Sequence, residues 1–226
     1  PASGTEEELS AEEESEPEAV GRVIDPSRPM VALTFDDGPQ TAVGNQIMDC
    51  LAQYDGKATF FLVGSRVPGQ AAEVQRMVAE GHEVANHTMN HRYLQKLGAA
   101  QIQAEVNQCN DTIQAVCGVR PTIMRLPGGN HNATVLASTG MPMIQWSIDT
   151  LDWKTRNADA TVTAVLNQVQ NGDIVLMHEL YGATGEAACR IIPELAARGY
   201  QMVTVSEMAA ARGMTLSAGQ MYSAMR

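Results

Sequence analysis

Between residues 30 and 206, short apolar runs rich in β-branched and aromatic side chains alternate seven times with longer Ala, Gln and Glu stretches at helical spacing. This is the pattern of repeated β-α units. Parallel strands joined by right-handed helical crossovers form either an open sheet covered on both faces or a closed barrel, so few architectures remain. The expected strands are Met30 to Phe35, Ala58 to Val63, Glu83 to Asn86, Thr122 to Leu126, Pro142 to Ser147, Ile174 to His178 and Gln201 to Val205. The expected helices cover 42–54, 68–80, 99–116, 132–139, 158–170, 185–198 and 206–212. Periodicity does not choose between sheet and barrel. However, Asp36, Asp37, His87, Pro127, Asp149 and His178 all fall at strand ends, and in a barrel those ends converge on one face. No repeat of fixed sequence period and no second domain is evident.

Composition enters where partners are concerned. The net charge of −11 is concentrated at the start of the chain, where residues 1–20 hold eight Glu and no Lys or Arg. The remainder has 18 acidic against 15 basic residues, a net of −3, and no Lys/Arg stripe for phosphate, so nucleic acid is not an expected partner. Residues 1–22 have too few apolar side chains to offset their ordering entropy and read as an acidic disordered linker, leaving 23–226 as the folded domain. No apolar run approaches the roughly 18 residues of a membrane span, so an integral membrane protein is not expected. Four cysteines lack the spacing of a zinc knuckle or a thioredoxin-like motif. Cys109 and Cys117 either pair across a helix end or remain buried free thiols.

Five segments carry chemistry. Thr34-Phe35-Asp36-Asp37-Gly38-Pro39 closes the first strand with two adjacent carboxylates that point in different directions, one able to bind a cation while the other faces a substrate. By itself this segment reads equally well as a turn serving backbone geometry. His87-Thr88-Met89-Asn90-His91 places two imidazoles at i and i+4, close enough to share a metal ion where the chain turns helically. Two His and one carboxylate leave positions open for water and substrate, as a catalytic site requires. The other segments are Arg125-Leu126-Pro127-Gly128-Gly129, Asp149-Thr150-Leu151-Asp152-Trp153 and Leu176-Met177-His178.

In this order, over about residues 30–206, the five segments resemble the motifs of the carbohydrate esterase family 4 polysaccharide deacetylases, the group with the NodB homology domain. The resemblance implies a distorted (β/α)7 barrel forming a single catalytic domain that removes acetyl groups from glycans such as chitin, peptidoglycan or xylan. It implies Asp36 as general base, Asp37, His87 and His91 as metal ligands, and Arg125 as the residue orienting the base. Asp152 is similar to the carboxylate that positions the acid, His178 to the general acid, and Trp153 and Leu176 to apolar walls of the groove. Pro127 and Gly128 fall on the substrate side. The family commonly has an aromatic residue, usually Tyr, where this chain has Gly128. Losing that ring is expected to open the groove toward a bulkier polymer.

The cofactor expected is one divalent ion, zinc first, with cobalt, manganese, iron or nickel as alternatives. The substrate expected first is peptidoglycan N-acetylglucosamine, with acetylated xylan or chitooligosaccharide as alternatives. Other readings are a non-catalytic glycan-binding barrel and a two-His-one-carboxylate Fe(II) oxygenase, the latter disfavoured because such sites usually sit in β-rich double-sheet folds. The protein is expected to be a monomer, extracellular or anchored at a bacterial cell surface, its signal or anchor lying outside this chain. The 13 Met and Trp146 read as core, and His82 and His131 receive no role, although His131 can reach the groove rim.

Overall fold

The structure, a computed structural model, describes residues 22–226. The expected acidic linker therefore lies outside the described residues except for Arg22, which is pinned by Glu207 and the Met202 carbonyl. The strands are β1 (Met30–Asp36), β2 (Thr59–Leu62), β3 (Glu83–Asn86), β4 (Met143–Ile144), β5 (Ile148–Asp149), β6 (Asp173–His178), β7 (Gln201–Met202) and β8 (Met221–Tyr222). The helices are α1 (Thr41–Ala52), α2 (Ala71–Ala79), α3 (Ala99–Cys117), α4 (Ala133–Ser138), α5 (Asp152–Thr155), α6 (Ala158–Leu166), α7 (Gly182–Ala197) and α8 (Val205–Ala211).

All pairings of these strands are parallel, in the order β3-β2-β1-β6-β5, with β7 joined to the start of β1. β4 pairs with β8, a short strand not expected from the sequence. The ring closes through single bridges from Asn86 to Met124 and from Met124 to Met143, after which the chain runs on into β5 beside β6. This is the expected α/β barrel, distorted on one side.

The distortion has a local cause. The expected strand Thr122–Leu126 is extended and hydrogen bonded on both sides, by Arg125 N to Asn86 O and by Ile144 N to Met124 O, yet it pairs only through isolated bridges. The expected strand Pro142–Ser147 is broken into β4 and β5. At the break, the Ile144 and Gln145 carbonyls turn toward the guanidinium of Arg125 and accept from it at 3.0 and 2.9 Å. Arg125 is wholly buried, and its donors need partners more than the ladder needs regularity.

Two-residue alternation along β1 sorts side chains between two cores. Val31, Leu33 and Phe35 face outward and pack with Ile47, Leu51, Ile191 and Leu195 of α1 and α7. Met30 and Ala32 face the barrel interior with Phe61, Ile123, Ile144 and Ile174. The same inward series continues through Thr34 to Asp36, so the interior changes from apolar to polar toward the strand ends. On β6, Ile174, Leu176 and His178 form the matching series.

The disulfide joins Cys50 of α1 to Cys189 of α7, Cα atoms 5.4 Å apart. Of the two readings left open for Cys109 and Cys117, the free thiols hold. Both lie on α3, where eight residues rise about 12 Å, beyond disulfide reach. The bond closes a segment of 139 residues, so reduction is expected to cost about 2–5 kcal/mol, read as a lower Tm in reductant and in Cys50→Ser.

Candidate active site

At the C-terminal ends of β1, β3 and β6 lies a groove of about 320 Å³. Its lining brings together Asp36, Asp37, His87, His91, Gly128, Trp153, Leu176 and His178 of the expected site, and adds Tyr93, Trp146, Asp149 and Tyr181. Arg125 and Asp152 lie behind this surface, in contact with Asp36 and His178. Pro127, expected on the substrate side, is buried and opens the short turn that carries Gly128. Trp146 is not core as expected. It is one inward step above Ile144, and that step reaches the groove mouth.

Three ligating groups face one point. His91 Nε2 and His87 Nε2 stand 3.0 and 3.3 Å from Asp37 Oδ1, and one ligand atom from each residue lies within 4.8 Å of the others. Asp37 Oδ1 is buried and accepts no hydrogen bond in this structure. His87 Nδ1 is 2.9 Å from the Arg125 carbonyl, which fixes the proton on Nδ1 and leaves the Nε2 lone pair free. An orphaned carboxylate oxygen beside imidazole nitrogens suits a divalent ion. Burial works to raise the pKa of Asp37. The two imidazoles outweigh it and hold the carboxyl below the ordinary range. Both Asp37 and His91 have positive φ, 70° and 53°, a left-handed backbone uncommon outside glycine that tends to cluster at functional sites. His87→Ala combined with His91→Ala is expected to reduce metal content from about one ion per chain to near zero, measured by elemental analysis.

Two further pairs flank the triad. Arg125 Nη1 donates to Asp36 Oδ1 at 2.8 Å and to Thr34 Oγ1 at 2.7 Å, with its guanidinium 4.2 Å over the Phe61 ring. The other Asp36 oxygen is 3.7 Å from His87 Nε2, on the side of the ligating groups. Across the groove, His178 Nδ1 meets Asp152 Oδ1 at 2.8 Å. Asp152 is 1% exposed and also accepts from Thr184 Oγ1 and the amides of Trp153 and His178, which locks its orientation. Burial would lower the pKa of His178. The Asp152 contact, aided by the charges of Asp36 and Asp37, outweighs burial and raises it. A fixed carboxylate on one wall and a proton-holding imidazole on the other are the groups that general base and general acid chemistry needs.

The wall at Gly128 departs from expectation. A Cβ there would lie 2.8 Å from Cε1 of Tyr93, and Gly128 has φ 65°. The space that a missing ring was expected to open is occupied by Tyr93 from the loop after His91. A Gly128→Tyr variant would be strained and would displace that ring, so restoring the family's aromatic residue here would not simply narrow the groove.

His82 and His131 lie outside the groove lining. His82 is buried and its Nδ1 accepts from the Ala58 amide, while burial pushes its pKa down to about 3. Tyr93 and Tyr181 were missed in the sequence. Their only signal was position, two residues after His91 and three after His178.

A polysaccharide deacetylase family model matches residues 24–144. The chain is 41% identical over 185 residues to the peptidoglycan-N-acetylmuramic acid deacetylase PdaC of Bacillus subtilis, covering 82% of this chain and 40% of that protein. It is 37% identical over 192 residues to the peptidoglycan-N-acetylglucosamine deacetylase PgdA of Listeria monocytogenes, covering 85% and 41%. It thus spans about two fifths of the length of these relatives. The solved structure of PdaC superposes with a TM-score of 0.82 at 40% identity, over 84% of this chain and 94% of that one. A family 4 acetyl xylan esterase from Clostridium thermocellum, in complex with a cobalt ion, gives a TM-score of 0.82 at 33% identity over 86% and 98%.

Proposed function

The chain belongs to the polysaccharide deacetylases of carbohydrate esterase family 4, and we propose that it hydrolyses N-acetyl groups of peptidoglycan amino sugars, N-acetylglucosamine first. The observation that carries this reading is one groove in which Asp36, fixed by Arg125, and His178, fixed by Asp152, flank a ligating triad. A divalent ion held by Asp37, His87 and His91 supplies Lewis-acid polarisation and a more acidic water. Zinc is the first expectation, and the cobalt ion in the related esterase's structure supports cobalt as an alternative.

The protein's own groups supply the rest. Asp36 takes the proton of the attacking water, with Arg125 holding its other oxygen. The Gly128 N–H has no protein acceptor among the described residues and is the donor assigned to the developing oxyanion. His178, protonated at the start, gives its Nε2 proton to the leaving amine while Asp152 keeps Nδ1–H oriented. The aromatic residues Tyr93, Trp146, Trp153 and Tyr181 provide apolar faces for sugar rings.

Both relatives named above act on peptidoglycan, one at N-acetylmuramic acid, which makes that sugar the second reading. The disulfide requires an oxidising compartment and supports action outside the bacterial cytoplasm. Among the described residues no helix is long and apolar enough to cross a membrane. Acetate release from peptidoglycan, chitooligosaccharide and acetylated xylan tests the assignment. Release from xylan alone, with metal-loaded protein, would overturn the peptidoglycan reading. Tyr93→Ala is expected to lower kcat/KM on polymer by about tenfold through lost ring contact, with metal content unchanged. An unchanged kcat/KM would remove Tyr93 from the groove's binding surface.

A further inference from the structure

Behind the groove, between β6, α1 and α2, two acidic side chains face each other. Glu73 of α2 is 2% exposed and Glu179, the residue after His178, is 0% exposed. Glu179 Oε1 accepts from the Gln40 amide at 2.8 Å, and Glu73 Oε2 accepts from Thr41 Oγ1 at 3.0 Å. The remaining oxygens, Glu73 Oε1 and Glu179 Oε2, are buried with no hydrogen-bond donor. Neither carboxyl is used by the chemistry assigned above.

The carboxyls are packed against two glycines. A Cβ on Gly38 would stand 1.9 Å from Glu179 Oε2. A Cβ on Gly44 would stand 2.0 Å from Glu73 Oε1 and 2.6 Å from Glu179 Oε1, so the two acids meet at one place. Neither glycine has the left-handed backbone that would by itself favour glycine. Gly38 of the Asp36-Asp37-Gly38-Pro39 segment is small because Glu179 fills the space a side chain would need.

Two carboxyls buried this deeply and meeting at one place are not both ionised, since each charge would be poorly solvated and would repel the other. A single proton shared between them supplies the missing donor. In agreement, burial and then the Glu73 contact push Glu179 well above the usual carboxylate range, against the pull of Arg66.

We propose that Glu73 and Glu179 share one proton and together clamp the turn Asp36–Gln40, acting as positioning residues for the base and for the metal ligand Asp37. The connections are direct. The Glu179 amide donates to the Asp36 carbonyl at 2.9 Å, and its carboxyl holds Gln40 on the far side of the turn. Glu179 therefore ties the strand that carries His178 to the turn that carries Asp36 and Asp37. This rests on the reading of Asp37, His87 and His91 as a metal site, and the experiment separates the two.

The shared proton is read without metal or substrate. Infrared spectra of metal-free protein at pH 7 should show the carbonyl stretch of a protonated carboxyl that is lost in Glu179→Gln, whose amide N–H takes the place of the shared proton. No such band, or a band that survives in Glu179→Gln, overturns the shared proton whatever the metal site does. The clamp is read next with zinc. Glu179→Gln keeps an acceptor for Gln40 and a donor for Glu73, so zinc affinity and kcat should remain within about twofold of the parent protein. Glu179→Ala should lower both by about tenfold or more while KM changes less. Gly38→Ala, which displaces the carboxyl without removing it, should reproduce that loss. Full zinc affinity and kcat in Glu179→Ala, or equal damage or failure to fold in Glu179→Gln, would overturn the clamp.

Discussion

Asp36→Asn is expected to lower deacetylation by about 10²–10⁴-fold and to leave metal content near one ion per chain. The amide has nearly the shape of the carboxylate, so its oxygen can keep the 2.8 Å contact with Arg125 Nη1. What it cannot do is accept the proton of water as the carbonyl is attacked. Because the ligating set is Asp37, His87 and His91, metal content should not follow activity downward. Acetate release measured alongside elemental analysis of the same sample checks both statements. Loss of the ion together with the activity would place Asp36 among the ligands and remove it as base. Undiminished turnover would leave the base unassigned.

Acetate release by the metal-loaded parent protein in the same experiment is the result that separates the enzyme from a non-catalytic barrel, which predicts glycan binding alone. The Fe(II) oxygenase reading does not survive the fold. Such sites usually sit in a β-rich double sheet, whereas the chain is an α/β barrel and belongs to the deacetylase family.

Which parts of the molecule were legible in the sequence follows from where the physics is local. β1, β2 and β6 were read to within one residue at either end, because strands buried on both faces are near-continuous apolar runs. The helices expected at 132–139, 158–170 and 206–212 start within one residue of α4, α6 and α8, whose N-caps are Asn132, Asn157 and Thr204. The stave through Met124 and the break after Ile144 were not legible, because both depend on a buried Arg125 claiming backbone carbonyls from another segment. The disulfide between Cys50 and Cys189 was equally hidden, since it reports how α1 and α7 pack. Tyr93 filling the space beside Gly128 is a contact between two loops, and no spacing within either loop announces it. The linkage of Glu73 to Glu179 is also tertiary, although it explains why a glycine follows the paired aspartates.

Asp152→Asn is expected to move the alkaline limb of kcat/KM to lower pH and to lower its plateau by about 10²–10⁴-fold. The direction follows from the charges. Asp152 is the main influence raising the His178 pKa against burial, so a neutral amide lets the imidazole lose its proton at lower pH. The acid form that must donate to the leaving amine is then depleted sooner as pH rises. The asparagine can also present an N–H toward Nδ1, favouring the tautomer with its proton on Nε2 only in the neutral ring. His178→Ala removes the donor altogether, and the loss should be larger for an N-acetyl sugar than for an activated acetyl ester, whose leaving group departs without protonation. Asp152 accepts four hydrogen bonds in the fold, so Tm and zinc content must match the parent protein before the rates are compared. An alkaline limb that stays in place in Asp152→Asn, with His178→Ala slowing amide and ester equally, would take the general-acid role away from His178.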